Sequence, residues 1–97
     1  MNNEQKYEWD LIKEKLNIVK YGVDFTEARS VFADECGLVI FDESHSEYEE
    51  RFLLLGLSQK HRILLVVHCY RDENATIRII SSRKATKKEQ KQYKDKQ

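Results

Sequence analysis

Hydrophobic residues recur at helical spacing in the segment LIKEKLNIVKY (11–21). Asp10 stands just before it, where an N-cap residue is expected, and Gly22 follows as a residue that can end a helix with a positive φ. The segment is therefore predicted to be a helix with one broad apolar side. That side is formed by Leu11, Ile12, Leu16, Ile18 and Val19.

A second helical pattern follows at once in DFTEARSVFAD (24–34). Asp24 and Glu27 have the spacing of a capping box, although its first residue is usually Ser or Thr. The apolar residues of this segment share one face, and they are Phe25, Ala28, Val31 and Phe32. The chain is thus expected to open with two consecutive short helices.

The pattern then changes to that of strands separated by polar turns. Strands are predicted at 38–41, 51–58, 62–70 and 76–84, and a further short strand is possible in KYEWD (6–10). The segment RILLVVHCY (62–70) is apolar on both faces, so it is expected in the middle of the sheet. An acidic connection at 42–50 is expected to be exposed. Residues 59–61, with His61, and residues 71–75 are expected to be turns.

A last helix is predicted from Thr86 to about Tyr93, because Thr86 and Glu89 have the spacing of a capping box. Strands joined by short turns pair antiparallel. The predicted fold is therefore α+β, with two N-terminal helices, a mostly antiparallel four-stranded sheet, a possible short N-terminal strand and a C-terminal helix. The helices are expected on one face of the sheet. The 97 residues are interpreted as a single domain, 1–97.

Composition excludes several classes of protein. No apolar stretch approaches the roughly 20 residues that span a bilayer, and the N-terminus has no apolar signal segment. We therefore expect a cytoplasmic protein that does not contact membranes. Cys36 and Cys69 have no zinc-site spacing, so they are expected to be reduced and at least partly buried. No motif for a cofactor or a metal is present, and neither is expected.

Charge is distributed unevenly although the formal net charge is zero. Residues 1–50 contain five Lys or Arg and thirteen Asp or Glu, whereas residues 51–97 contain twelve and four. Such asymmetry suggests a polyanionic ligand, or a partner that covers one face. The alternative is that the two halves neutralise each other in the fold.

Four stretches of the chain resemble the BrnT family of bacterial toxins. They are EWD (8–10), KYGVDFTEARSVFAD (20–34), HSEYEERF (45–52) followed by Gly56, and IRIISSRKATKKEQKQY (77–93). The last is the most specific, because it is similar to the family pattern R-I-I-S-A-R-x-A-T-x-x-E-x-x-x-Y. The resemblance implies a RelE-like fold and a type II toxin that cleaves RNA without a metal and so inhibits translation and growth.

The resemblance also implies partners. A BrnA-like antitoxin would neutralise the toxin, in a heterotetramer, and would carry a ribbon-helix-helix part that binds DNA. The toxin would then contact DNA only through that complex. An acidic or amphipathic helical segment would suit an antitoxin that covers a basic surface.

Two positions depart from the family pattern. Tyr21 stands where the family usually has a histidine, and Leu57 stands where it often has an arginine. A tyrosine would serve poorly in place of a histidine that transfers protons at neutral pH. The alternative hypothesis is therefore a toxin-like scaffold that binds an antitoxin or RNA without cleaving RNA.

Candidate catalytic residues are taken from the chemistry of RNA cleavage, which needs a base, an acid and cations that stabilise the phosphorus centre. Arg51, Arg78 and Arg83 lie in predicted strands, and two or three such arginines could hold one phosphate. The alternative is that they form salt bridges, for example with Glu49, Glu50 or Asp72. Glu50 is also a candidate base or a residue that orients Arg51. His45 is a candidate acid, or an ordinary surface histidine.

Other candidates concern RNA binding. Lys84, Lys87 and Lys88 belong to the basic C-terminal segment, and Lys20 belongs to the matched KYG stretch. Tyr93 is a candidate for stacking on a base. The alternative is that this segment is a solvated helix face. His68, on an apolar strand, is expected to be a packed residue.

Overall fold

The computed structural model describes residues 5–42 and 49–97. Five strands and three α-helices follow one another in these ranges, with one short 3-10 turn at Val31–Ala33 after the second helix. The strands are β1 (Lys6–Glu8), β2 (Leu38–Asp42), β3 (Arg51–Leu57), β4 (Ile63–Arg71) and β5 (Thr76–Lys84). The helices are α1 (Leu11–Tyr21), α2 (Phe25–Ser30) and α3 (Lys87–Asp95).

The helix ends follow the local signals in the sequence. The Asp10 carboxylate accepts hydrogen bonds from the first backbone N–H groups of α1, and Gly22 ends that helix with φ of 70°. The Asp24 side chain caps α2 by accepting from the Glu27 N–H at 2.7 Å. Thr86 and Glu89 form a complete capping box at α3. The three predicted N-caps are therefore confirmed, but α2 has only half of a capping box, because the Glu27 side chain binds Ser58 and Arg62 instead.

The sheet has the strand order β1-β5-β4-β3-β2, so β4 is its central strand, as predicted. β2, β3, β4 and β5 pair antiparallel. β1 is the fifth strand, and it pairs parallel with β5, with Tyr7 opposite Ile77. The four predicted strands are thus antiparallel, and the possible short strand in residues 6–10 is present as β1, whose parallel pairing makes the sheet mixed and five-stranded. Parallel pairing of β1 with β5 is possible because a long connection separates them, which contains two helices and the strands β2, β3 and β4.

The helices lie on both faces of the sheet, so the expectation that they share one face was wrong. Adjacent residues of β3 and β4 enter two different cores. Beneath α2 the core consists of Val23, Phe25, Ala28, Val31, Leu54, Leu64, Val66, Ile77 and Ile79. On the opposite face, α3 covers a smaller core of Leu55, Leu65, Ala85 and Tyr93. β3 and β4 are apolar on both faces, so each face needs a cover.

Helix α1 leaves most of its apolar side exposed, contrary to the expected packing. Its one buried residue is Asn17, whose amide binds the outer edge of β5. The Asn17 Nδ2 donates to the carbonyl oxygens of Val23 and Ser82 at 2.8 and 2.9 Å, and its Oδ1 accepts from the Ser82 N–H. β1 covers this edge only as far as Arg78. Asn17 thus satisfies the peptide group that a longer β1 would have satisfied.

Asp34 connects the 3-10 turn, β3 and α3. Its Oδ2 accepts hydrogen bonds from the Leu57 N–H at 2.8 Å and from the Tyr93 hydroxyl at 2.6 Å. Gly56 lies beside this junction, where a Cβ would come within 2.8 Å of the Val31 side chain. The glycine is therefore required by close packing of the turn on β3.

The two cysteines differ in environment. Cys69 is buried, as expected, whereas Cys36 is exposed, so that part of the expectation was wrong. Burial raises the pKa of the Cys69 thiol. Among the described residues there is no helix with the length and apolar character needed to cross a membrane.

Candidate active site

The face of the sheet opposite α2 carries the arginines. On β5, Arg78 lies opposite Cys69 of β4, and Arg83 lies opposite Leu65. Residues five apart on a regular strand would point to opposite faces. The register shifts by one residue at Ile80, because Ile79 pairs with His68 and Ser81 pairs with Val67. This bulge turns Arg83 to the same face as Arg78.

Arg51 shares that face, because its neighbour Phe52 pairs with His68 on the side of the main core. Cys69 and Leu65 are four residues apart on β4, so the Cα atoms of Arg78 and Arg83 are separated by about 13 Å. Each of the two guanidinium groups forms a salt bridge with a different carboxylate. The expectation that two or three arginines hold one phosphate is therefore corrected for this pair.

Arg83 is held at the junction between β5 and α3. Its Nη1 and Nη2 donate to the two carboxylate oxygens of Glu89 at 2.8 and 3.0 Å. Glu89 also accepts from the Thr86 N–H at 2.8 Å, which completes the helix cap. The Arg83 guanidinium lowers the pKa of the Glu89 carboxyl, and Glu89 in turn raises the pKa of Arg83. The salt-bridge alternative thus holds for Arg83, with a partner that the sequence did not suggest.

The end of α1 lies beside Arg83. Tyr21 lines a groove with Ile80 and Ser81 of β5, and Ser81 lies two residues before Arg83. The Nζ of Lys20 lies 5.1 Å from the centre of the Tyr21 ring. A groove of about 310 Å³ lies next to Lys20 and Tyr21. A larger groove, of about 430 Å³, lies near Glu50. The smaller groove is lined by Lys13, Leu16, Asn17, Lys20, Tyr21, Ile80 and Ser81.

Arg78 lies at the other end of the face, where its Nη1 donates to the Glu8 carboxylate at 2.6 Å. Glu8 faces Arg78 across the parallel β1–β5 pair. This is again a salt bridge with an unexpected partner. Arg51 begins β3 opposite Asp42 of β2. The candidate catalytic arginines therefore form two groups, with Arg51 and Arg78 at one end and Arg83 at the other.

Glu50 lines the depression of about 430 Å³ together with Glu49, Phe52, Tyr70 and Asn74. Glu49 itself is engaged by Arg71, with 3.1 Å between carboxylate oxygen and Nη2. His45 lies outside the described residues. In residues 5–42 and 49–97, no three His, Cys, Asp or Glu side chains are grouped so that they could hold a metal ion.

Comparisons with known proteins identify the family of this chain. A family model described as "Ribonuclease toxin, BrnT, of type II toxin-antitoxin system" matches residues 9–89. The chain belongs to the BrnT family of ribonuclease toxins. The crystal structure of the Brucella abortus ribonuclease toxin BrnT, at 1.1 Å, is similar in fold, with a TM-score of 0.66 and 22% identity. The match covers 87% of this chain and 100% of that one. No curated protein sequence matches the chain.

The two residues that depart from the BrnT pattern, Tyr21 and Leu57, line two different pockets. Tyr21 lies in the groove beside Ile80 and Ser81, as described above. Leu57 lines a separate pocket of about 480 Å³, whose lining contains the four basic side chains His61, Arg62, Lys84 and Lys94 and no carboxylate. Arg62 is paired with the Glu27 carboxylate, so Lys84 and Lys94 give the pocket its positive charge even with a leucine at position 57.

The residues expected to bind RNA are only partly accessible. Lys20, Lys84, Lys87 and Lys88 are exposed. Tyr93 is buried against Leu55 and Leu65, and its hydroxyl donates to Asp34. The structure contradicts the stacking role of Tyr93, because its ring has no face open to a base. Donation of this hydrogen bond to the Asp34 carboxylate also raises the pKa of Tyr93 to about 12.

One buried charge network was missed from the sequence. Glu27 is fully buried and accepts hydrogen bonds from the Ser58 hydroxyl at 2.7 Å and from the Arg62 Nε at 2.9 Å. The Arg62 Nη2 pairs with the other carboxylate oxygen. Hydrogen bonding from Arg62 lowers the pKa of Glu27. The signal in the sequence was the position of Glu27 between Phe25 and Ala28, on the helix face predicted to be buried.

His68 is a packed residue, as expected. It is fully buried, with its ring centre 4.9 Å from that of Phe32 and 5.6 Å from that of Tyr70. Its Nδ1 lies 3.2 Å from the Val66 carbonyl oxygen, and burial lowers its pKa. It is remote from solvent and therefore unsuited to proton exchange with RNA.

Proposed function

We propose that this chain is an endoribonuclease toxin that cleaves RNA without a metal ion, at the open sheet face between α1 and α3. The observation that carries the proposal is the groove in which Lys20 and Tyr21 lie against the part of β5 that leads to Arg83. These three residues come from two of the stretches that match the BrnT pattern, and the fold brings them to one place.

Arg83 is suited to bind the phosphate that is cleaved. The capping box and Glu89 hold its guanidinium in place, so little rotational freedom is lost on binding. Its described hydrogen bonds use Nη1 and Nη2, and the planar fork has further N–H donors for a phosphate oxygen. Charge develops on the phosphorus centre during cleavage, and a fixed cation stabilises it there.

Lys20 and Tyr21 supply the neighbouring contacts. The Lys20 ammonium adds positive charge beside the groove, and the Tyr21 hydroxyl can donate a hydrogen bond to a phosphate oxygen or to the leaving oxygen. Such a site relies on charge stabilisation more than on proton transfer. We therefore propose a slow enzyme, with Arg51 and Arg78 as a second group along the strand direction and with Glu50 beside Phe52 on the other face of the sheet.

The cationic pocket around Lys84 gives the RNA a further contact. Its basic residues lie beside the exposed lysines of α3, so a strand of RNA that leaves Arg83 would meet positive charge. Lys87 and Lys88 extend this surface along α3. We also include Lys94, another lysine of the basic C-terminal segment, and His61, which the sequence did not suggest, among the proposed RNA contacts.

The proposed physiological role is growth inhibition through cleavage of RNA and loss of translation. A BrnA-like antitoxin would hold the toxin in a heterotetramer. The antitoxin's ribbon-helix-helix part would bind DNA, and the toxin would contact DNA only through it.

The test is bacterial growth after induced expression of wild type, Arg83→Ala and Arg78→Ala, with Arg29→Ala as a matched control. Arg29 stacks on Tyr7, away from the proposed site. We expect arrest by the wild type and the control, relief by Arg83→Ala, and rescue when the neighbouring open reading frame is co-expressed. Cleavage of RNA by the purified protein in a metal chelator tests the absence of a metal requirement.

A toxin-like scaffold is the second candidate, and two observations favour it. Tyr21 replaces the family's usual histidine at the centre of the group, and Arg78 is already engaged by Glu8. Normal growth with folded, abundant wild-type protein would support the scaffold and reject the ribonuclease. Salt-dependent RNA binding without cleavage would have the same meaning.

A further inference from the structure

Helix α1 presents an uncovered apolar stripe. Ile12, Leu16 and Val19 follow the i, i+4, i+7 spacing, and their exposed fractions are 72%, 65% and 87%. Leu11, beside them, is 67% exposed. A helix on a sheet edge ordinarily turns such a stripe toward its own core. Here the stripe is exposed from the first turn of the helix to the last.

The opposite side of α1 is already engaged by the rest of the chain. Asn17 binds Ser82 on β5. Glu14 accepts from the Phe25 N–H at 2.8 Å and from the Trp9 Nε1 at 3.2 Å. These contacts fix the rotation of the helix, so the stripe cannot turn inward without breaking them.

All of the outward charges on α1 are positive. With 100° between successive residues, Lys15 lies on one side of the stripe and Lys13 and Lys20 lie on the other. The helix has one acidic residue, Glu14, and it points toward Phe25 and Trp9. The stripe is thus an apolar strip with one ammonium group on one side and two on the other.

We propose that this face of α1 binds an amphipathic helix whose apolar stripe is flanked by Asp and Glu. Apolar residues at helical spacing can pack along the apolar stripe of a second helix. The lysines beside the stripe favour a partner with acidic residues next to its own stripe. A second copy of this chain fits poorly, because the same face on both copies would bring lysines against lysines. The identity of this partner as the antitoxin rests on the proposed function.

The stripe leads directly to the proposed active site. Leu16 lies in the stripe and also lines the groove that contains Lys20, Tyr21 and Ile80. A helix bound along the stripe would lie over this groove and neutralise Lys20. The partner would therefore exclude RNA from the approach to Arg83, which is a form of inhibition that needs no change in the fold.

Two synthetic helical peptides provide the test, with the same Leu and Ile stripe and with flanks of either Glu or Lys. Each is titrated into the isotope-labelled full chain, and the dissociation constant and the shifted amides are measured. We expect the Glu-flanked peptide to bind at least about tenfold more tightly, with weaker binding as salt is raised. The shifted amides are expected in α1 and at Ile80 and Ser81.

Two variants locate the site. Val19→Glu is expected to weaken binding of the Glu-flanked peptide by about tenfold or more, because it adds a negative charge to the stripe. Val39→Glu is the matched control, since Val39 is also an exposed valine (59%) but lies on β2 at the far edge of the sheet. Leu16→Glu is a second variant in the stripe. Thermal unfolding shows that each variant is folded.

Several outcomes would overturn the inference. They are equal affinity for the two peptides, no saturable binding to the wild type, equal weakening by Val39→Glu, or dimers of the chain alone that Val19→Glu dissociates. None of these measurements involves RNA cleavage, so a negative result in the peptide-binding experiments does not affect the ribonuclease proposal. Loss of the ribonuclease proposal would likewise leave the peptide result standing. Peptide binding that leaves RNA cleavage unaffected would overturn the claim that this face covers the site.

Discussion

Arg83 and Glu89 form a two-point ion pair across the junction between β5 and α3, with Nη–Oε distances of 2.8 and 3.0 Å. The same Glu89 closes the capping box that begins α3. The residue proposed to bind phosphate and the start of the C-terminal helix are thus one hydrogen-bonded unit. Such a unit restricts the guanidinium before any RNA is bound.

Replacement of Arg83 tests this unit directly. We expect Arg83→Ala to lower the rate of RNA cleavage by about 10- to 100-fold, the range of one charge-assisted hydrogen bond. Arg83→Lys keeps the charge but lacks the planar fork, so it should restore less than about a tenth of the wild-type rate. The measurement is cleavage of a labelled RNA by purified protein. Arg29→Ala should cleave as the wild type does, and equal rates for wild type and Arg83→Ala would reject the role.

Arg62→Met should destabilise the protein by about 3 kcal/mol at neutral pH, because it leaves the Glu27 carboxylate buried without its cation. In the wild type, Arg62 lowers the pKa of Glu27, so this stabilisation is present above the ordinary Glu pKa and is lost as pH falls through the lowered value. In the variant the buried carboxyl can be protonated instead. The difference between the two proteins should therefore shrink as the pH is lowered.

Urea unfolding at several pH values measures this difference. Arg71→Met is the matched control, because the Arg71–Glu49 pair is exposed and contributes at most about 1 kcal/mol. If Arg62→Met lowers the free energy of unfolding equally at neutral and acid pH, the buried Glu27 carboxylate is not the cause of the destabilisation.

Tyr93→Phe should lower the free energy of unfolding by about 1–2 kcal/mol, since the Asp34 carboxylate loses a hydrogen-bond donor. The raised pKa of Tyr93, about 12, means that this stabilisation is fully present below the ordinary Tyr pKa and is lost as pH rises through 12. Spectrophotometric titration should show one phenol of the wild type ionising late, and Tyr93→Phe should lack it. RNA affinity should not change, because the hydroxyl is engaged by Asp34, whereas a marked loss would show that the hydroxyl contacts RNA.

His68→Leu should flatten the pH dependence of stability on the acid side of neutrality. Burial lowers the pKa of His68, so the unfolded chain binds its proton first, and stability falls as pH drops from the ordinary His value toward the folded one. The variant cannot take up this proton. His61→Asn is the control, because His61 is an exposed turn residue with φ of 60°, which Asn also tolerates. An unchanged slope in His68→Leu would contradict the prediction.

Much of the local structure was predictable because its causes are local. The caps at Asp10, Asp24 and Thr86 each depend on hydrogen bonds within three residues. The strands followed from runs of apolar residues between turn signals, and β4 was placed at the centre because both its faces are apolar. The BrnT family was also recognisable, because its pattern consists of short runs that survive in the sequence.

The site was predictable only as a set of residue types. Arg78 and Arg83 were identified from their strand and their charge, but their partners Glu8 and Glu89 depend on the strand order and on the path into α3. A one-residue bulge at Ile80 decides that both arginines share a face, and no residue pattern marks it. Tyr93 was assigned to RNA for its chemistry, while the second core determined that its ring is buried.

The sequence by itself determined where the helices and strands begin and end, because capping and periodicity act over a few residues. It also determined which side of α1 is apolar. Only the tertiary structure decided that this side stays uncovered, because β1 ends at Glu8 and Asn17 takes the place beside Ser82. The strand order, the two cores and the grouping of Lys20, Tyr21 and Arg83 were decided in the same way. They depend on contacts between distant parts of the chain, which compete for the same surfaces during folding.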